Sequence, residues 1–347
     1  MNLTPLKSRV LRSITRSKAH LRDVSEKSWN LHDAETYTSP RAIFLDGDTD
    51  KITAFIPDTT PELEKERMLG GVREHAATIV HQVTHVEYVN GSLYKNSVRH
   101  RLLPGPEKLI GRGTPEHIAQ GAMACSLYGS TFFAHWIGDD MTAALALEGM
   151  GTPVTPRRKP YHHEPGYTKI LGIKRHEITR AHFDKFVWLD DFGQNSFKRK
   201  RYATIMHRLR AAAPGTTNER VFIRRGSSGA ARSLINAAEV EACLVSQGFA
   251  IVEPEHLTAE EIVRQTSGAS IVMGVEGSQM VHGMFNMSPT GTVCILQPPF
   301  RFTNLHKDFT DCMGMPYGFL TGVAAEGGFT ISIEELKRFL QKVEAAA

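Results

Sequence analysis

The stretch SGASIVMGVEGSQMVHGMFNMSPTGTVCILQPP, Ser267 to Pro299, decides the fold. Ala269 to Met273 reads as a short buried strand, and Gly274 and Gly277 bracket a tight turn. Ser278 to Met287 has Met280, Met284 and Phe285 spaced for one helix face; Pro289 and Gly291 stop that helix, and Val293 to Leu296 returns as a strand. A strand followed by a glycine turn and a helix start is a place where backbone N–H groups hold an anion. The two glycines let such a group approach the backbone, because no Cβ intervenes. The same pattern also serves packing alone in many α/β proteins.

Upstream, VFIRRGSSGAARSLINAAEVEACLVSQGFAIVEPEHLTAEEIVRQTSGA runs from Val221 to Ala269. Val221 to Ile223 reads as a strand with Arg224 and Arg225 at its C-terminal end, where open α/β sheets bind ligands. Ser227, Ser228 and Arg232 follow, then a helix over Asn236 to Gln247, a glycine cap at Gly248 and a strand over Phe249 to Val252. A further helix starts near Thr258, with Glu261 as its capping-box partner. The region Val221 to Leu296 is thus a βαβαβαβ alternation, the pattern of a parallel sheet covered by helices.

The order RR-x-S-x-x-x-x-R-x-L-x-N, GF, PE, then G-x-x-GS-x-x-x-H-x-x-F-x-x-x-P-x-G resembles the C-terminal half of glycosyltransferase family 61. TFFAHWIGDDMTAALAL, Thr131 to Leu147, is similar to that family's N-terminal aromatic-His-Trp-Leu segment followed by an acidic residue. WLDDFGQNSFKRKRY, Trp188 to Tyr202, is similar to a segment that joins the halves of bacterial members. The resemblance covers roughly Phe132 to Pro299. Glu276 stands where the family usually has His, and Met141–Thr142 where it usually has Leu-Pro.

The resemblance implies a GT-B-like α/β protein of two Rossmann-like domains facing a cleft. It implies an inverting, metal-independent transfer of a sugar from a nucleotide sugar, with UDP the expected nucleotide, to a glycan or lipid-linked glycan acceptor in bacterial polysaccharide biosynthesis. Donor-binding residues would then be Arg224, Arg225, Ser227, Arg232, Glu255, Glu276, Gly277, Ser278 and His282. Guanidinium groups suit a leaving diphosphate because they bind phosphate bidentately and offset its growing charge. Amides around Gly277 and Ser278 would add to this without a metal. His135 and Asp139 lie four apart on one helix face. Asp139 is the expected base for the acceptor hydroxyl, with His135 as its partner or its replacement. No cofactor is expected. Two other classes stay open: a non-catalytic relative that binds a nucleotide or glycan, and a magnesium-dependent phosphoester hydrolase using Asp46 and Asp48.

Composition agrees with a folded enzyme. The chain has 347 residues, 41% hydrophobic and 22% charged, room for two domains. A formal charge of +4 is small for this length and argues against nucleic acid as a partner. Cys125, Cys243, Cys294 and Cys312 form no C-x-x-C pair and read as free thiols of a reducing cytosol. The basic start, MNLTPLKSRVLRSITRSKAHLRD, lacks a signal-peptide core; it reads as a solvated helix or as a basic amphipathic helix touching an anionic membrane. A cytoplasmic location, with peripheral membrane contact as an option, follows. The Pro-, Gly- and basic-rich stretch Gly151 to Ile170 suggests a boundary: an acceptor domain over 1–165 and a nucleotide-sugar domain over 166–347, with the last helix free to pack back on the first domain. Arg41 to Leu45, Ile52 to Ile56 and His85 to Val89 are strand candidates in the first half. Asp46–Gly47–Asp48 is ordinary turn chemistry before it is a metal ligand pair. Asp190–Asp191 reads as structural, and His162–His163 lacks well-spaced metal partners.

Overall fold

Five apolar segments of the C-terminal half stack as one parallel sheet in the computed structural model, which describes residues 2–215, 218–226 and 232–346. The strands are Arg220–Ile223, Phe249–Val252, Ile271–Val275, Thr292–Gln297 and Tyr317–Thr321. Their spatial order begins with the second, then the first, third, fourth and fifth. All five residues of Ile271–Val275 are buried, as expected of a strand covered on both faces. The helices Ala237–Ser246 and Ala259–Thr266 fall where their signals place them, and Thr258 closes the expected capping box with Glu261. The expected helix over Ser278 to Met287 is shorter: a 3₁₀ turn at Ser278–Met280 runs into Val281–Met284. Met280, Met284 and Phe285 are nonetheless fully buried.

The chain divides into two compact units, Met1–Glu35 with His75–Phe197, and Thr36–Glu74 with Lys198–Ala347. This differs from the 165/166 cut that the linker-like stretch suggests. The reason is the strand Arg180–Asp190, which pairs with Thr78–Val89 and with Glu116–Met123 in the first unit's sheet. The segment 36–74 belongs instead to the parallel-sheet unit. Ile43 bridges Gly318, and Phe55 bridges Phe302, so two strand candidates of the first half are single bridges. Lys51 donates to Asp48 at 3.1 Å and to Glu335 at 2.9 Å; buried Glu64 pairs with Arg67 at 2.6 Å and accepts from the Asn304 amide at 2.6 Å. The final helix, Ile333–Ala346, packs within this unit, its Leu336, Phe339, Leu340 and Val343 joining the core that holds Phe222 and Met273.

The other unit carries a mixed sheet. In spatial order its strands are Val98–Arg101, Ser92–Lys95, Thr78–Val89, Arg180–Asp190, Glu116–Met123, Thr152–Pro156 and His176–Ile178, with Lys27–His32 on the first half of Thr78–Val89. One side of Arg180–Asp190 is antiparallel and the other parallel. A tight hairpin turn at Asn90 and Gly91, with φ values of 50° and 79°, joins Thr78–Val89 to Ser92–Lys95 as a further antiparallel pair. This unit is therefore a mixed α/β layer, where the resemblance implied a Rossmann-like one.

On that antiparallel side, His100 lies against Trp188, ring centroids 5.3 Å apart, and burial pulls its imidazole down to about 4 from 6.5, with His20 adding to the fall. A histidine depressed in the folded state binds fewer protons there than in the unfolded chain. Stability is thus intact above pH 6.5 and lost as pH falls towards 4, by up to roughly 3 kcal/mol. Denaturant midpoints measured across that window should fall for the native chain and fall less for His100→Gln.

Candidate active site

The switch point of the parallel sheet lies between Arg220–Ile223 and Ile271–Val275, because the chain leaves the first strand towards one edge and continues from the third towards the other. Ligands of open α/β sheets bind at such points, beyond the C-terminal ends of the strands. Arg225 follows the first of these strands, and Glu276 and Gly277 follow the second. Arg225 Nη1 donates to the Glu276 carbonyl at 3.4 Å and to Gln279 Oε1 at 3.1 Å. Arg232 Nη1 donates to the same carbonyl at 2.7 Å and pairs with the Glu276 carboxylate at 2.6 Å. Glu276 is buried, and the Arg232 side chain is 9% exposed. His306 Nε2 donates to the Gly277 carbonyl at 3.1 Å.

Arg301 completes the group. It follows the strand Thr292–Gln297 through Pro298–Pro299, and it acts electrostatically on Arg225, Arg232 and Glu276. Burial pushes the Glu276 carboxyl up, opposed by Arg232, Arg301 and Arg225 in that order. Burial lowers Arg225, and it pulls Arg232 down to about 10; the carboxylate of Glu276 opposes both, while neighbouring guanidiniums add to the fall. Among the described residues three guanidinium groups, Arg225, Arg232 and Arg301, face the Glu276 carboxylate; Glu64, itself paired with Arg67, also acts on Glu276 and adds to its rise. The Nε atoms of Arg232 and Arg301 are buried and lack a hydrogen-bond partner there. Desolvated positive charge in excess is the electrostatic signature of an anion seat.

Gly277 is what lets the arginines close in. Its φ is 150°, and a Cβ there would overlap the Arg225 guanidinium and the Gln279 amide and press on Arg232. Gly277→Ala is therefore expected to cost about 1–3 kcal/mol in stability and to displace Arg225, as read by denaturant titration.

The structure separates the remaining sequence candidates. Arg224 turns away from this cluster to Glu241, at 2.9 and 2.6 Å, and to Glu253 at 2.9 Å. Its neighbour keeps the pocket because consecutive residues leaving a strand point to opposite sides. Glu255 is exposed, with Gly226 packed against its side chain. Ser278 opens the 3₁₀ turn, and His282 is buried in the short helix after it. Ser227 lies outside the described residues. Arg301, Gln279 and His306 were not singled out from the sequence. The available signal for Arg301 was its place just beyond a strand's C-terminal end.

In the other unit, His135 Nδ1 and Asp139 Oδ2 are 2.6 Å apart, both partly exposed. The helix expected over this stretch is interrupted: Phe133–His135 is followed by a π-type turn, Trp136–Asp140, before Met141–Ala146. Such widened turns occur frequently at functional sites. Asp140 anchors the turn. Its buried carboxyl accepts from the Ser126 amide at 3.0 Å and hydroxyl at 2.9 Å, over Gly129, whose lack of a Cβ makes the room. Burial pushes Asp140 up to about 8, while Ser126 and Arg175 pull it down. Trp136 is fully buried below, stacked on Phe133 at 5.6 Å. The carboxylate of Asp139 accepting from Nδ1–H places the ring's lone pair on Nε2.

The other acids are spent on structure. Asp48 is buried, accepts from the Leu45 amide at 3.0 Å and pairs with Lys51, whereas Asp46 is exposed. Asp190 pairs with Arg22 at 3.1 Å, and Asp191 accepts from Thr78 at 2.9 Å. The four cysteines are free thiols.

The parallel α/β unit thus carries an arginine-lined switch point, and the other unit a histidine–carboxylate pair. Residues 133–295 match the sequence model of the family described as Glycosyltransferase 61. That segment is a glycosyltransferase 61 domain, and the chain that carries it is a glycosyltransferase. The matched segment includes His135, Asp139, Arg225, Arg232 and Glu276. No curated protein matches the chain.

Proposed function

We propose that the three-arginine cluster at the switch point holds the diphosphate of a nucleotide sugar, with UDP as the nucleotide. The observation that carries this reading is the excess of partly buried guanidinium charge around Gly277. A leaving nucleoside diphosphate gains negative charge as the glycosidic bond breaks, and preorganised guanidiniums stabilise that charge more in the transition state than in the ground state. They do so without a metal, which is the basis for a metal-independent transfer. Glu276 does not oppose the diphosphate, because its carboxylate is tied to Arg232.

The acceptor hydroxyl loses its proton to His135 Nε2, while Asp139 holds the ring and stabilises the imidazolium that forms. Attack on the anomeric carbon from the face opposite the leaving group then inverts its configuration. The acceptor is a glycan or lipid-linked glycan of bacterial polysaccharide synthesis. The protein works in the cytoplasm. Among the described residues no helix is long and apolar enough to cross a membrane. The helix Thr4–Thr15 exposes Leu6, Val10, Leu11 and Ile14 beside Lys7 and Arg9, a face suited to peripheral contact with anionic lipid.

The test is a thermal-shift panel of UDP, GDP, CMP, ADP and their sugar conjugates, with and without EDTA. A ligand that binds only the folded state raises the melting temperature. A shift selective for UDP and its sugars, unchanged by EDTA, is expected. Absence of a shift with every nucleotide discards the donor assignment.

A further inference from the structure

Three histidines and an aspartate converge on the central strands of the mixed sheet, in residues that the transfer reaction does not use. His182 and Asp184 are two apart on Arg180–Asp190 and share a face. His85, on Thr78–Val89, falls opposite Asp184 in the register, between the paired Phe183–Val86 and Lys185–Thr84. His117, on Glu116–Met123, is paired beside His182. One ligand atom from each of His85, His182 and Asp184 lies within 4.8 Å of the other two. His117 Nε2 is 2.9 Å from Asp184 Oδ1, and the His182 Nε2 is 3.7 Å from the same oxygen. The His182 ring stands 6.0 Å from that of His85 and 6.1 Å from that of His117.

The backbone is bent to allow this. His85 has φ of 49°, a left-handed conformation inside a strand. Val83 and Val86 are both in the core cluster, as are Phe183 and Phe186, so the strict alternation of faces slips by one residue on both strands here. Left-handed non-glycine residues cost of order 1–3 kcal/mol and gather at functional sites.

We infer that His85, His182 and Asp184 form a binding site for one divalent transition-metal ion of the zinc class, with His117 orienting the Asp184 carboxylate. Imidazole nitrogens with a carboxylate oxygen are the donor set that such ions take, where calcium and magnesium prefer oxygen alone. Zinc–ligand bonds of about 2.0–2.1 Å put tetrahedral donors about 3.3 Å apart, so ligand atoms now within 4.8 Å of one another need draw together only a little to close the site. The three ligands come from two adjacent strands and the orienting histidine from a third. The ion therefore pins the middle of the sheet, and it adds stability in proportion to its occupancy. It stands apart from the proposed sugar transfer and supplies nothing to it.

The experiment uses the full chain, stripped with EDTA and dialysed free of it, titrated with Zn²⁺ by calorimetry and with Co²⁺ by visible absorption. One equivalent of Zn²⁺ with micromolar affinity, a higher melting temperature, and the d–d bands of low-symmetry Co²⁺ are expected. His182→Ala and His85→Ala should weaken Zn²⁺ by more than about 100-fold, and His117→Ala by about 10- to 100-fold, as for loss of an orienting partner. Each variant should match the stripped native chain in circular dichroism and melting temperature without metal, which separates lost binding from lost folding. Nucleotide-induced shifts should be the same in stripped and Zn²⁺-loaded protein, so this site and the donor assignment fail independently. Absence of Zn²⁺ binding, or binding that survives both His182→Ala and His85→Ala, overturns the assignment.

Discussion

Replacing Arg232 by alanine is expected to abolish measurable binding of a nucleoside diphosphate and to cost about 3 kcal/mol of stability. The stability loss comes from Glu276: its carboxylate is buried, and Arg232 is its ion-pair partner at 2.6 Å. Breaking a buried pair from one side costs about 3–5 kcal/mol where nothing else offsets the charge; Arg225 and Arg301 still face Glu276, so the loss sits at the lower end. Arg232→Ala combined with Glu276→Gln should therefore recover part of the stability and none of the affinity. Arg225→Ala and Arg301→Ala separate the two effects further, since charge-assisted hydrogen bonds to phosphate contribute about 1.5–3 kcal/mol each, or roughly 10- to 100-fold in affinity. Arg224→Ala is the control. Its guanidinium is held by Glu241 and Glu253, and nucleotide affinity should change less than about twofold. Calorimetric titration with UDP alongside denaturant unfolding reads both quantities. Equal losses for Arg224 and Arg232 would remove the cluster from the donor site.

His135→Ala should lower kcat by about 10²- to 10⁴-fold while leaving nucleotide binding unchanged. Asp139→Asn should also lower kcat, because an amide can fix the imidazole in the wrong tautomer. The double variant should be no slower than His135→Ala alone, since groups that act as a unit lose their effect together. If Asp139 is itself the base, His135→Ala keeps substantial turnover and Asp139→Asn does not. The pH dependence of kcat, followed for His135→Ala and the native chain, distinguishes these outcomes, since the acid limb belongs to whichever group takes the proton.

Four strands of the parallel sheet were legible from apolar runs between turn signals; the fifth, Tyr317–Thr321, was not singled out from the sequence. Phe249 to Val252 is an apolar run between a glycine cap and a proline, and Thr258 with Glu261 is a local signal that needs no tertiary context. The mixed sheet was less so. Asn90–Gly91 is a strong hairpin signal, yet the strand reading of that region stops at His85 to Val89, because the alternation breaks at His85 where the backbone turns left-handed. The two-unit division was not legible from composition. The Pro- and Gly-rich stretch near 151–170 contains Thr152–Pro156 and the helix Glu164–Leu171, built into the first unit, so punctuation there marks turns and no boundary. In the site, Arg225 and Arg232 could be found by their position after a strand, but Arg224 and Arg225 are neighbours of the same chemistry. Only the placement of Glu241 and Glu253 on other elements decides which one is diverted. Likewise the four-residue spacing of His135 and Asp139 predicts their contact, whereas Asp140's burial depends on Ser126 and Gly129.

The segment 36–74 has a consequence for how the chain is made. It leaves the ribosome long before residues 198–347, yet its partners are there: Ser39 accepts from Lys307 at 2.7 Å, Lys51 reaches Glu335, and Glu64 caps the Asn304 amide. The mixed-sheet unit is complete once Phe197 has emerged, and it can close around an excursion whose own contacts do not yet exist. Vectorial synthesis thus imposes a waiting period on Glu64 and Lys51, charged groups that end buried or half-buried: Glu64 stays hydrated until Asn304 arrives and Lys51 until the last helix does. Pairings so distant in sequence also slow the final step relative to a chain of local contacts. Expressing 198–347 alone would leave the Asn304 amide and the Lys307–Asp311 pair without their covering strand and helix, so a soluble donor-binding fragment has to carry residues 36–74 spliced ahead of Lys198.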